Sequence, residues 1–321
     1  MLRRAAFLSS LACFAACGYD GVGTGTSPRD EVNAGPAGAD ASVDGGVIRE
    51  PDPPAPIDVG DGAVQYTDAD TPDSAVPFDA GPLPSSPGSP IVYVVSGRFW
   101  TFNPVASTWA GGTQFPTATC PSLDEIAVDP FGTIFAVGNG GKNLYVLDPS
   151  TVSCTAVGAG NITYPQALAF APRGTLNPYV EELVGYEANG DYVRIDTKTG
   201  TLSLVKAGVF AGYSVGDLIN VGTKGYVALT GGACGGADCL WEVSLATGDK
   251  IGASPIGTLP ATKHVTALGH WAGKLYAFCS PDETWSINPA SPAAASLLGG
   301  PPGYTNVAFR GAGSRTIAPT N

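Results

Sequence analysis

Short runs in which apolar and polar residues alternate recur from residue 91 onward, and each run ends at a turn. One example is "KNLYVLDPSTV", residues 142–152. Aligned on the first residue of the turn, the five runs reach Asn103, Asp148, Asp196, Ser244 and Asn288, at intervals of 45, 48, 48 and 44 residues. Alternation with a period of two predicts strands, and a repeat of this length is typical of four-stranded blades. Because no segment keeps a helical period over three turns, the pattern predicts an all-β propeller.

Every repeat has the same order of strands. An apolar inner run comes first, then a second strand, and then the run that ends at the turn; the inner runs are residues 125–130, 167–172, 217–222, 265–271 and 306–311. The body begins with a second-type strand, "IVYVV", and ends with an inner-type run. We therefore expect the two ends to complete one blade and close a ring of five. Residues 314–319, "SRTIAP", fall where another second strand would lie, so six blades remain an alternative.

An aromatic residue precedes each turn residue, by three places in four blades and by four places before Asp196. These residues are Trp100, Tyr145, Tyr192, Trp241 and Trp285. A ring near the turn of every blade indicates packing between blades rather than a platform for a ligand. The Asx-type turn residues are expected to accept hydrogen bonds from the turn backbone. Both sets are therefore interpreted as structural.

The stretch "AVDPFGTIFAV", residues 127–137, resembles the loop-and-strand signature of NHL, SMP-30-like and YVTN-type propellers. The resemblance extends in pattern over about 230 residues and implies the propeller fold, which hosts many functions. SMP-30-like lactonases use carboxylates and Asn around a central divalent metal, and streptogramin-lyase-like propellers need a His near a metal. The resemblance thus implies an alternative function, a metal-dependent hydrolase or lyase with its site in the central channel.

The candidate residues for such chemistry are few. The inner runs offer Glu125, Asp129 and Asp217, without a repeated constellation. The two histidines, His264 and His270, are six residues apart, which on a strand separates them by roughly 20 Å, too far for one metal. His270 is the better functional candidate of the two, although a structural role is favoured. We therefore expect no catalytic, cofactor or metal residues, and a divalent metal only under the alternative.

The N-terminus has the pattern of an export signal. Residues 1–4 are "MLRR", a positive start, and residues 5–16 are "AAFLSSLACFAA", an apolar segment too short to span a bilayer. "FAAC" before Gly18 resembles a bacterial lipobox, which implies a signal peptide at residues 1–16 and a lipid on Cys17. Phe14 departs from the aliphatic residue usual in that box; Cys13 is the rival lipidation site, and an ordinary secretory signal is the other alternative. By resemblance, Gly18 favours the bacterial outer membrane, with a periplasmic or secreted protein as the alternative.

Residues 17–90 are rich in Gly, Ala, Asp and Pro and carry 13 acidic residues against two arginines. A segment with so few large apolar residues cannot offset the entropy of ordering, so we predict a disordered acidic spacer. Its aspartates lack the spacing of a calcium loop. Residues 91–321, the predicted propeller domain, are close to neutral and show no basic footprint for nucleic acid.

Five cysteines lie beyond the export signal, and an oxidising compartment favours disulfides. We favour a Cys234–Cys239 bond across "CGGADC", because its glycines let the chain fold back, and zinc is the alternative. Cys120–Cys154 ranks below it, since the propeller order puts these residues near opposite faces. Cys279 is the fifth.

The expected function is that of a monomeric, non-enzymatic binding or scaffold module at the bacterial cell envelope, which contacts protein or glycan and is held to the membrane by its lipid. The loops between second and third strands differ from blade to blade: "SGR", "GNGGKN", "EANGD", "TGGACGGAD" and "SPDE". Repeated sugar sites would need the same residues in each blade. The sequence therefore favours one asymmetric site or a protein-binding surface.

Overall fold

The structure, a computed structural model, describes residues 82–321 apart from residue 87 and residues 260–263. The predicted signal peptide, both candidate lipidation sites (Cys13 and Cys17) and the spacer up to residue 81 lie outside the described residues. Residues 82–86 and 88–91 precede the first strand and contain no strand or helix. Within the described part of the chain, no helix has the length and apolarity needed to cross a membrane.

The described residues form five four-stranded antiparallel sheets, which are the blades. Blade 1 contains β1 (Val92–Val95), β2 (Arg98–Asn103), β3 (Thr108–Gln114) and the last strand, β20 (Gly311–Gly313). Blade 2 contains β4 (Leu123–Val128), β5 (Ile134–Gly138), β6 (Asn143–Asp148) and β7 (Ser153–Val157). Blade 3 contains β8 (Ala167–Ala171), β9 (Glu182–Tyr186), β10 (Tyr192–Ile195) and β11 (Leu202–Lys206). Blade 4 contains β12 (Tyr213–Val221), β13 (Lys224–Gly231), β14 (Asp238–Ser244) and β15 (Gly257–Thr258). Blade 5 contains β16 (Val265–Trp271), β17 (Lys274–Cys279), β18 (Glu283–Ile287) and β19 (Ser296–Leu297), and two single-turn 3₁₀ helices cover Gly232–Cys234 and Pro292–Ala294.

The ring closes in blade 1, as the sequence predicts. β20 pairs antiparallel with β1 and supplies the inner strand of that blade, so the protein is a five-bladed β-propeller. The predicted position of this strand is wrong, because residues 306–310 form no strand and the pairing begins only at Gly311. The predicted alternative of a sixth blade is also wrong, since residues 314–319 are a tail that makes no sheet with a second strand.

Apolar packing between neighbouring blades holds the ring together. The described residues form five apolar clusters, each shared by two adjacent blades. Alternation along the inner strands produces this arrangement: Ile126 and Val128 pack toward blade 1, whereas Ala127 packs toward blade 3. Full burial of one side chain the size of Ile126 stabilises the fold by about 1.5–3 kcal/mol.

The turn residues and their aromatic neighbours have the predicted structural roles. The side chains of Asn103, Asp148, Asp196 and Asn288 accept main-chain N–H bonds of 2.7–3.0 Å from their turns. Ser244 accepts through its main-chain oxygen instead, 2.7 Å from Gly248 N. Trp100, Tyr192 and Trp241 are buried in the clusters between blades, and Tyr145 and Trp285 pack half-buried against two of them.

Both candidate cysteine pairs form disulfides, Cys234–Cys239 and Cys120–Cys154. The expectation that the second pair lies near opposite faces is wrong. Phe115 and Cys120, from the connection between blades 1 and 2, are buried with Leu147 between the blades. The same connection reaches the start of β7, where Thr119 O accepts the Cys154 N–H. The Cα atoms of Cys120 and Cys154 are therefore 4.8 Å apart.

Candidate functional site

A cavity of about 830 Å³ opens on the axis of the propeller, at the end where the inner strands begin. All five blades contribute to it, through Glu125, Gln166, Ser214, Thr266 and Arg310 among others. The turns between second and third strands reach the same end, and Gly140, Ala188 and Thr230 also line the cavity. We call this cavity the funnel. Its walls are not equivalent, because each blade supplies a different side chain at the rim.

The opposite end of the axis, which we call the closed end, is covered by residues 314–321. Ser314 Oγ accepts the His270 N–H at 2.9 Å, and the Thr316 hydroxyl donates to Glu181 at 2.8 Å. Pro319 O lies 2.9 Å from His270 Nε2. The tail thus contacts blades 3 and 5 at this end of the axis. Because β1 runs antiparallel to β20, residues 88–91 lead into blade 1 at this closed end.

Two carboxyl groups meet on the axis beneath the funnel. Glu125 is 1% exposed and Asp217 is fully buried. Asp217 accepts the N–H groups of Leu218 at 2.6 Å and Leu268 at 2.5 Å, and Glu125 accepts the N–H of Ile126 at 2.8 Å. The edge of each inner strand that faces the axis has no further strand to pair with. The carboxyl groups therefore supply acceptors for backbone N–H groups that would otherwise be buried without partners.

Burial favours the protonated form of the two carboxyl groups. Burial, and then the negative charge of Asp217, raise the pKa of Glu125 well above its usual value. Burial also raises the pKa of Asp217, although bonds from the N–H groups of Leu268 and Leu218 oppose the shift. Glu125 Oε2 is buried without a hydrogen-bond donor among the described residues, and two carboxyl groups can share a hydrogen bond only when one of them is protonated.

Charged pairs lie higher, at the rim of the funnel. Arg310 Nη1 is 2.6 Å from Asp124 Oδ1, and Asp124 Oδ2 accepts the Gly141 N–H at 3.1 Å. Between blades 4 and 5, His264 Nδ1 is 3.0 Å from Asp238 Oδ1. Asp238 also accepts the Thr230 hydroxyl and the Val265 N–H. A buried carboxylate therefore orients an exposed imidazole at the mouth of the cavity.

The preference for His270 over His264 as the functional histidine is wrong. His270 is fully buried beneath the tail, and burial lowers its pKa to about 4, so its neutral ring donates to Pro319 O. His264 lines the funnel instead. The sequence gives no signal for this, because Asp238 lies 26 residues before His264.

The remaining predicted carboxylate, Asp129, is separate from the axial pair. It lies in the turn after β4, where Oδ1 accepts the N–H groups of Phe131 at 2.9 Å and Thr133 at 2.7 Å. Glu181, which the sequence does not single out, lies half-buried near it at the closed end, and desolvation raises its pKa to about 7. Among the described residues, no three His, Cys, Asp or Glu side chains are grouped so that they could hold a metal ion.

Comparison with known proteins assigns no family to the chain. No family model matches the chain, and no curated protein matches it. The solved structures similar to it include the crystal structure of a nidogen/laminin complex, with 8% sequence identity and a TM-score of 0.43 over 65% of this chain and 78% of that chain. Membership of the NHL, SMP-30-like or YVTN-type families stays a prediction, and so does the bacterial lipoprotein class. The strand order itself makes the chain a five-bladed β-propeller.

Proposed function

We propose that the protein is an exported, lipid-anchored binding module of the bacterial cell envelope, and that it holds one protein or glycan ligand in the funnel without catalysis. The observation that supports this most directly is the funnel itself. It is an axial cavity of about 830 Å³, within the size range of ligand pockets, and polar side chains from different blades converge on it. Because its walls are not equivalent, it suits one asymmetric ligand rather than five copies of a sugar.

The orientation of the propeller also supports the proposal. Residues 88–91 reach blade 1 at the closed end, opposite the funnel. A tether that precedes these residues would attach at the closed end and leave the funnel accessible to a ligand. A scaffold that used the closed end would have to share that surface with its own tail and tether.

Blocking the funnel tests the binding function. Gln166 is exposed and lines the funnel, so Gln166→Trp places a large ring in it. Ala106→Trp, in the exposed turn after β2, is the matched control. We expect ligands from a peptide array and a glycan array to bind the wild type and Ala106→Trp and to lose binding to Gln166→Trp. Ligands that bind Gln166→Trp as well as the wild type would show that the site lies elsewhere.

Metabolic labelling tests the tether. Labelled palmitate should enter the wild-type chain and the Cys13→Ala variant but not Cys17→Ala. If the label fails to enter the wild type, the lipid anchor is wrong, and a periplasmic or secreted protein becomes the better interpretation. Fractionation of the labelled cells then distinguishes the outer membrane from the inner membrane.

A metal-dependent hydrolase or lyase is the second candidate, because two carboxyl groups do meet on the axis. Their oxygens, however, accept main-chain N–H bonds, and burial favours their protonated form. A proton therefore satisfies the pair without a divalent ion. Elemental analysis of the purified chain tests this: we expect no stoichiometric metal, and one divalent ion per chain that is lost in Glu125→Gln would favour the enzyme.

A further inference from the structure

The charged pairs at the rim of the funnel place their basic members outward. The side chain of Arg310 is 47% exposed, against 29% for its partner Asp124. The contrast is larger in the second pair, where His264 is 72% exposed and Asp238 is 3% exposed. An incoming ligand therefore meets a guanidinium and an imidazole before it meets a carboxylate.

Asp124 and Asp238, the less exposed members of the two pairs, already accept hydrogen bonds from donors within the protein. Asp124 accepts Arg310 with one oxygen and the Gly141 N–H with the other. Asp238 accepts a hydroxyl, a main-chain N–H and the His264 ring. These bonds reduce what the carboxylates offer to a ligand, whereas Arg310 has five N–H groups and contacts Asp124 through Nη1.

The basic groups also lie on one side of the rim. His264 belongs to blade 5, Arg310 directly precedes the inner strand of blade 1, and Lys142 follows β5 of blade 2. These three blades are consecutive around the ring. Lys142 is exposed, and its Nζ donates to the Thr163 hydroxyl beside the funnel at 2.6 Å. On the opposite side, blades 3 and 4 contribute the uncharged lining residues Gln166, Ala188 and Ser214, and the carboxylate of Asp238 in blade 4 is only 3% exposed.

We propose that the funnel binds an acidic protein segment, with Arg310 as the principal contact for a carboxylate of that segment. This rests on the proposed function of the funnel as the ligand site. A guanidinium is the group best suited to a carboxylate, because its planar array of donors matches the two oxygens. The uncharged side of the rim then faces the polar main chain of the segment.

The burial of the aromatic residues favours a peptide over an acidic sugar. The aromatic residues that line the funnel, Tyr164 and Phe309, are 2% and 1% exposed, so neither offers a ring face on which a sugar could stack. An acidic peptide supplies the carboxylate for Arg310 without such a platform.

An array of synthetic 12-residue peptides with no, two or four acidic residues tests the proposal, beside a glycan array with neutral and uronic-acid sugars. The probe is the full mature chain. We expect binding to rise with the number of acidic residues and to weaken with added salt. Arg310→Gln should reduce the affinity for the best acidic peptide at least about 10-fold, as expected for the loss of a charge-assisted hydrogen bond.

The matched control is Arg173→Gln, an exposed arginine in the connection after β8 at the closed end. It should leave the affinity unchanged, and urea unfolding should show that both variants are folded. Acidic peptides that bind Arg310→Gln as tightly as the wild type but not Gln166→Trp would overturn the role of Arg310 and keep the funnel as the site. Binding of uronic-acid glycans without acidic peptides would overturn the ligand class. Failure of every peptide and glycan to bind would contradict the proposed function as well.

Discussion

Replacing Glu125 by glutamine should make the stability of the propeller less dependent on pH. In the folded protein, burial and Asp217 raise the pKa of Glu125 well above 4.5, its usual value, whereas in the unfolded chain the same group ionises normally. Between these two pKa values the folded state binds a proton that the unfolded state lacks. The free energy of unfolding therefore falls as pH rises, by about 1.4 kcal/mol per pH unit for one proton.

Glutamine is uncharged at every pH, nearly the same size as glutamate, and able to donate its side-chain N–H to Asp217. The one-proton contribution of Glu125 should therefore disappear, and Glu125→Gln should gain stability relative to the wild type as pH rises above about 5. The assay is urea unfolding followed by tryptophan fluorescence at several pH values from about 5 to 8. Glu181→Gln is measured beside it, because Glu181 is a second carboxyl whose raised pKa contributes over part of the same pH range. If the stability of Glu125→Gln falls with pH as steeply as that of the wild type, the axial pair does not hold the proton assigned to it.

Three further predictions concern stability. The Lys250 ammonium lies 5.0–5.2 Å from the centroids of three aromatic rings, those of Phe210, Tyr213 and Trp241. Lys250→Met should therefore lower the free energy of unfolding by about 1–2 kcal/mol in urea titrations, and an unchanged midpoint would contradict a cation–π role. Replacing both cysteines of Cys120–Cys154 by serine should lower the free energy of unfolding by about 4 kcal/mol, against about 2 kcal/mol for Cys234–Cys239, because the two bonds close loops of 34 and 5 residues. Equal losses in thermal or urea unfolding would contradict this order. Burial raises the pKa of Glu181 from 4.5 to about 7, so its contribution to stability is complete below about pH 4.5 and is lost as pH rises through 7. Glu181→Gln should therefore flatten the dependence of the free energy of unfolding on pH in that range. An unaltered dependence would refute the raised pKa.

The blades could be predicted from the sequence because their signals are local. The alternation of apolar and polar residues, together with the turn residue that ends it, locates each strand. The repetition of these two signals gives the number of blades. The fifth inner strand could not be located in this way, because "GAG" (Gly311–Gly313) has no apolar period. Its position follows from its pairing with β1. It also follows from the lack of room for a side chain at the axis, where a Cβ on Gly311 would clash with Glu125 Oε1.

The contacts of the candidate site could not be predicted, because residues far apart in sequence make them. Arg310 and Asp124 are 186 residues apart, and they meet only because blade 1 closes beside blade 2. The Cys120–Cys154 bond depends likewise on a connection that enters the space between two blades. Repetition indicates where each blade begins, but it carries no information on which side chains from different blades face one another.

The axial layer shows why function in this fold belongs to positions that do not repeat. Each inner strand has an equivalent position near its start, namely the first residue that pairs with the second strand once any bulge has been passed. The residues at this position are Glu125, Ala167, Asp217, Ala267 and Gly311. Five carboxyl groups at these positions would repel one another in a space that excludes water, and five small residues would leave N–H groups facing the axis without acceptors. Two acids among three small residues satisfy both limits, and this choice makes the floor of the funnel asymmetric. Because the blades differ at the axis and in the loops above it, a ligand that binds there can distinguish one side of the propeller from another.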